Sequence, residues 1–173
     1  MTTRATAKKG TRPATTTTDA IKLLTVDHKE VHALFQNYKQ LAGKVAGSDE
    51  RQALAEQICM LLTLHAAIEE EIFYPAAREA EVDSYLLDAA EVEHASATVL
   101  MTQIRGMAPG DDLYDAKVAV LGEYIDHHVK EEHDEIFPKC RESSMDLNAI
   151  GALLAARTRE LMAEMSEGQE ALQ

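Results

Sequence analysis

Two segments of the chain carry one pattern 63 residues apart: His65, Glu69 and Pro75 in LHAAIEEEIFYP, and His128, Glu132 and Pro138 in HHVKEEHDEIFP. Four residues span just over one helical turn, so each His and Glu would share a face and reach one metal ion or two adjacent ones. Two further histidines, His28 and His94, each follow an acid, in Asp27-His28 and Glu93-His94, 66 residues apart. The chain therefore reads as two related helical hairpins, each contributing one lone histidine and one His-x3-Glu. Imidazole and carboxylate together suit iron, manganese or zinc, and carboxylates from facing helices can bridge two ions.

The elements that must position these residues follow from the apolar spacing. After Asp19, a helix N-cap, apolar residues fall at Ile21, Leu24, Val31, Phe35 and Tyr38, and the position missing from that stripe is His28. Gly43 and the GSD at 47–49 break the chain. Ser48 or Asp49 caps a second helix with the stripe Leu54, Ile58, Leu61, His65, Ile68 and Ile72, and Pro75 marks its end or a kink. A third helix, from about Asp83, carries Leu87, Ala90, His94, Ala97, Met101 and Ile104. After the APGDD turn at 108–112, a fourth carries Tyr114, Val118, Leu121, Ile125, His128 and Glu132, closing at Pro138. The expected fold is all-α, an up-down-up-down antiparallel four-helix bundle over residues 19–140. An additional C-terminal helix, about Asp146 to Glu167 within residues 141–173, carries Ile150, Leu153, Leu154, Leu161, Met162 and Met165 on one side, to pack on the bundle or form a dimer contact.

A single histidine on an apolar face is ordinarily a hydrogen-bonded core residue, and a single H-x3-E is ordinarily a surface pair. Four stripe histidines and a duplicated pair reverse that judgement, because so many buried polar groups carry a large desolvation cost unless something pairs with them. A bound metal removes it. The remaining histidines divide: His127 and His133 fall among Lys130, Glu131 and Asp134 on the outward side, whereas His32, in His28-x3-His32, is a candidate ligand or ligand support. Glu70, Glu71, Glu131 and Glu135 are read as solvating the helix ends, with Glu70 or Glu131 turning inward if the register slips by one.

Composition narrows the function classes. The 173 residues are 46% hydrophobic with few Gly and Pro, and the net charge is −13. The positive charges Arg4, Lys8, Lys9 and Arg12 gather in residues 1–18, a Thr- and Ala-rich segment read as a disordered basic tail. No nucleic-acid partner is expected for so acidic a body, and no apolar run is long enough to span a membrane. Cys59 and Cys140 form no paired motif, which points to a reducing, cytoplasmic setting.

With these residues in view, the chain resembles the hemerythrin-like, or HHE cation-binding, family: DHKEVHALF, LHAAIEEEIFYP, EHASATVL and HHVKEEHDEIFP are its four helix signatures in order. The resemblance implies a non-haem di-iron site, two iron ions with an oxo or hydroxo bridge, held by His28, His65, His94 and His128 with Glu69 and Glu132 bridging. Oxygen-carrying members supply five histidines; here Ala90 and Thr98 stand four residues either side of His94. That departure argues against reversible oxygen storage. It leaves a coordination position for a small oxidant, peroxide, nitric oxide or dioxygen, with weak catalase or peroxidase chemistry the most concrete activity. Tyr38 and Tyr124 are candidates to line the pocket, core packing being the alternative. A sensor or storage module without turnover is the rival function. So is a protein like the di-iron domain of iron-sulphur repair proteins, though the cysteine-bearing domain common there is missing. The assembly is a monomer or homodimer.

Overall fold

Asp19 opens the first helix: its carboxylate accepts the Lys22 amide at 2.9 Å, satisfying a donor that the first turn leaves free. The computed structural model describes residues 19–44 and 47–170, and the tail of residues 1–18 lies outside them. The helices are α1 (Ala20–Leu41), α2 (Ser48–Ile68), α3 (Tyr74–Glu79), α4 (Ser84–Arg105), α5 (Tyr114–Glu131), α6 (Phe137–Glu142) and α7 (Leu147–Glu170). Asp83 caps α4 through the Tyr85 amide at 3.1 Å, and Asp146 accepts the Ala149 amide at 3.0 Å at the start of α7. Neither Ser48 nor Asp49 caps α2; Gly47 takes that place with φ of 93°, a conformation that costs glycine little.

The prolines do not end their helices. Between α2 and α3 the chain makes a five-residue π turn, Glu69–Phe73, and between α5 and α6 another, Glu132–Ile136. The Tyr74 amide donates to the Glu69 carbonyl and the Phe137 amide to that of Glu132, five residues back. A proline in a regular helix removes a donor and strikes the carbonyl four residues earlier; widening the turn just before Pro75 and Pro138 relieves that collision. The extra residue also slips the inward stripe by one. Both Phe73 and Tyr74 are buried after Glu69, and both Ile136 and Phe137 after Glu132.

Helix α1 packs on α2 and α4 on α5, while α1 against α5 and α2 against α4 close the four-helix bundle. Its interior has two apolar clusters. One gathers Ile21, Leu24, Ile68, Phe73, Leu87, Ile136 and Leu154; the other gathers Val31, Ile58, Leu62, Met101, Ile104, Val118 and Leu121. Between them lies a polar layer at positions 28, 65, 69, 94, 128 and 132, one or two from each long helix line. The second cluster is closed at its far end by Arg51, 5% exposed, whose Nη1 donates to both Asp115 oxygens at 2.6 and 2.8 Å.

Helix α7 lies along α1, α2 and the first π turn, burying Ile150 and Leu154. Of the stripe expected there, Leu153, Met162 and Met165 are exposed, because the helix meets the bundle on a face narrower than its apolar residues span. Among the described residues no helix is long and apolar enough to cross a membrane.

Candidate metal centre

Each of the four bundle helices α1, α2, α4 and α5 places one histidine in the polar layer, and the first residues of the two π turns add two glutamates. His28, His65, His94 and His128 are all buried, and Glu69 and Glu132 are fully so. The Nε2 atoms face in pairs across the bundle, His28 to His65 at 2.9 Å and His94 to His128 at 3.1 Å. Glu69 Oε2 lies 3.2 Å from His65 Nε2 and 3.4 Å from His94 Nε2; Glu132 Oε2 lies 3.2 Å from His28 Nε2 and 3.6 Å from His128 Nε2. Each carboxylate thus reaches one histidine of each pair.

The outward nitrogens explain why the inward ones are free to bind. His65 Nδ1 meets Asp27 at 3.4 Å, His94 Nδ1 meets Glu70 at 2.9 Å and His128 Nδ1 meets Glu93 at 2.9 Å, while His28 Nδ1 faces His133 Nε2 at 3.3 Å. A carboxylate at Nδ1 fixes the proton there and turns the Nε2 lone pair to the centre. The partners repeat as the ligands do. Asp27 and Glu93 stand 66 residues apart, each beside one histidine in the chain but bonded to another on the next helix, and Glu70 and His133 stand 63 apart. Tyr74 enters the layer from α3. Its hydroxyl donates to Glu132 Oε1 at 3.1 Å, lies 3.5 Å from Glu69 Oε2, and its ring stacks on His94.

Two facing imidazole nitrogens at these distances need a proton or a cation between them. Burial opposes an imidazolium at His65, but Glu69, Asp27 and Glu132 together outweigh it and hold the pKa well above the ordinary value; at His128 burial is likewise overcome by Glu132, Glu93 and Glu69 together, and the pKa is raised. Burial alone would raise the Glu69 pKa, yet His65 keeps it well below the ordinary carboxylate range. Burial and the two carboxylates push the Tyr74 phenol well up, so it remains a donor. Even with protons in these places, Glu69 Oε1 and Glu132 Oε2 have no hydrogen-bond partner. A divalent or trivalent ion in place of each shared proton would meet unprotonated Nε2 atoms and both unpaired oxygens. The donor set of four imidazoles and two carboxylates fits a pair of such ions.

Beside the layer is an enclosed cavity of about 20 Å³, lined by the four histidines and by Val31, Leu62, Ala97, Met101 and Ile125. It is large enough for a water-sized molecule.

The other expected site residues lie elsewhere. His32 is exposed and bonds Asp126 at 3.2 Å, because one position of helix rotation beyond the stripe carries it over the rim of the bundle. Tyr38 is buried in the far cluster, donating to Asp115 at 2.6 Å, ten residues along α1 from His28. Tyr124 is half exposed. His127 faces solvent as expected, between Glu93 and Glu131. His133 is exposed, as expected of a solvated face, and its Nε2 also touches His28. Glu70 turns inward to His94, as a register slip allows; Asp27, Glu93, His133 and Tyr74 were not read as supports, and the one signal for them was the acid preceding each lone histidine.

Comparison with known proteins gives a family and a fold. The model of the hemerythrin HHE cation-binding domain matches residues 19–140. The crystal structure of a hemerythrin HHE cation-binding domain-containing protein from Mycobacterium kansasii aligns with a TM-score of 0.69, at 23% identity over 83% of this chain and 86% of that one, which shows a shared fold. A protein named DNA nickase from Nostoc sp. strain PCC 7120 is 28% identical over 124 residues, 69% of this chain. The match covers 32% of that protein's length.

Proposed function

The chain belongs to the hemerythrin HHE cation-binding domain family, and from that premise we propose that it is a di-iron protein that binds and processes small oxidants. His28, His65, His94 and His128 would be terminal ligands and Glu69 and Glu132 the bridges. Peroxide is the most concrete substrate, with dioxygen and nitric oxide of the same size class. The observation that carries this reading is the sealed polar layer itself, where four inward nitrogens and two carboxylates, two of whose oxygens are unpaired, adjoin a cavity large enough for a water-sized molecule. Bound iron would supply Lewis acidity and a change of oxidation state.

The protein's own residues do the rest. Val31, Leu62, Ala97 and Met101 keep bulk water and larger reductants from the centre. The carboxylates on Nδ1 hold the imidazole planes and make the histidines better donors. Both cysteines are buried free thiols, as suits a cytoplasmic protein. No nicking activity is proposed, since the match covers only a third of the nickase and the chain is strongly acidic.

Elemental analysis of untagged, aerobically purified protein tests the reading, with about two irons per chain expected of a carboxylate-bridged bundle site. His65→Ala and Glu132→Ala should then fold, lose iron and lose peroxide decomposition. Wild-type rates in iron-free variants would sink it. A sensor or store without turnover is favoured by one contact: Arg157 of α7 donates to Glu71 at 2.6 Å, two residues from Glu69, linking the centre to an outer helix. That reading predicts that loading changes the hydrogen exchange of α7 while peroxide is left intact.

A further inference from the structure

The repeat that builds the centre is not symmetric, and both departures fall on the same side. At the position where Glu70 accepts from His94 Nδ1 at 2.9 Å, the other half has His133, whose Nε2 faces His28 Nδ1 at 3.3 Å. At the position of Tyr74 the other half has Phe137. The two rings occupy equivalent places, Tyr74 stacked on His94 with centroids 5.7 Å apart and Phe137 stacked on His28 at 6.0 Å, but only Tyr74 carries a hydroxyl. That hydroxyl donates to Glu132 Oε1 at 3.1 Å and lies 3.5 Å from Glu69 Oε2, so the only phenol in the layer bonds the second half's carboxylate at the shorter distance.

From these two substitutions we infer that the two metal positions are inequivalent: the ion held by His94 and His128 binds more tightly than the one held by His28 and His65. The inference rests on the di-metal reading above. A carboxylate accepting the outer proton of a ligand histidine makes that histidine a stronger donor, and an imidazole in the same place does so less. His94 and His128 each have a carboxylate at 2.9 Å. His65 has one only at 3.4 Å, and His28 has none. His133 lines an open groove of about 840 Å³ on the outside of α1 and α6, with Ile21, Val26, Lys29 and Phe137, so one side chain separates His28 from the surface. The tighter ion is then the resident one, and the looser ion is the one that exchanges.

Anaerobic calorimetric titration of the metal-free full chain with Co(II) tests this, alongside His133→Glu, Tyr74→Phe and the double variant. Wild type should take up two ions in resolved steps at least tenfold apart, the size expected of one altered partner to a ligand histidine. His133→Glu, which gives His28 the partner that His94 already has, should tighten the weaker step about tenfold and leave the other in place. Tyr74→Phe should change the separation by freeing Glu132, and the double variant should bring the two steps closest together. Two ions in wild type with equal affinities, or a separation that neither substitution alters, would overturn the inference while leaving the di-metal reading intact. Uptake of fewer than two ions by wild type would overturn both.

Discussion

Glu93 stands next to His94 in the chain, yet it accepts its 2.9 Å hydrogen bond from His128 on the neighbouring helix. Asp27 does the same for His65 from its place beside His28. An acid beside one ligand therefore orients the ligand of another helix, so that two helices must be correctly docked before either histidine is aimed. Burial works against the Glu93 charge, but the His128 bond acts first and keeps its pKa below the ordinary value, so the partner stays an acceptor.

Glu93→Gln should therefore weaken metal retention by about tenfold, the lower end of what a lost ligand partner costs. Competition against a chelator of known affinity reads this directly. Because Glu93 is partly exposed, the melting temperature of the metal-free variant should stay near that of wild type.

Metal loading should release about two protons per chain, one from each facing histidine pair, because an imidazole nitrogen must be deprotonated to bind. The same exchange sets the pH dependence. His65 and His128 have raised pKa values when folded, so their contribution to the metal-free protein is present below the unfolded value of 6.5 and is lost as pH rises through the folded values. Glu69 has a lowered pKa, so its contribution is present above the unfolded 4.5 and is lost as pH falls through the folded value. The metal-free protein should thus be most stable between those two pH values and lose stability above 6.5, whereas metal affinity should rise over that same range. Thermal melts of both forms from pH 4 to 9 show whether the two trends diverge.

Glu69→Gln separates the charge from the shape. In the metal-free protein the change removes the carboxylate that supports the buried His65 imidazolium, so stability should fall between pH 4.5 and 6.5. In the presence of metal the gap from wild type should widen, since ligand binding stabilises only the form that binds. A Glu69→Gln protein stabilised by metal as much as wild type would remove Glu69 from the ligand set.

At the far end, Arg51→Met should destabilise by about 2 kcal/mol, a charged hydrogen-bond value reduced because Asp115 is partly exposed. Tyr38→Phe should cost about 1 kcal/mol through the same carboxylate. Neither should alter metal content. A loss of iron in Tyr38→Phe would return Tyr38 to the pocket where its place on the stripe had put it.

The ligand-type histidines were legible because each interrupts a helical stripe of apolar residues, and a period of 3.6 residues survives in any helix that buries one face. The fold was legible for the same reason. What periodicity does not carry is the side-to-side reach of residues at the stripe's edge. Glu70 and His133 fall one position beyond Glu69 and Glu132, where a regular helix turns outward; the π turns begin there and the neighbouring helix lies within reach. Tyr74 was hidden by the same slip, since counting by 3.6 from Glu69 passes over it. Pro75 and Pro138 carried the signal of a disturbance but not its kind. His32 and Tyr38 failed in the opposite direction, His32 sharing a spacing with His28 but turned over the rim, and Tyr38 sharing its stripe but not its depth along the bundle.

The layer that divides the interior has a consequence for how the molecule holds together. With the acids countered only by shared protons, the protein is two separate oily nuclei strung on four continuous rods, and each nucleus is small for independent stability. An ion clasped by residues from every rod would act as a rivet at mid-length. Without it, hydrogen exchange should find the two ends opening as separate units; with it, they should open together.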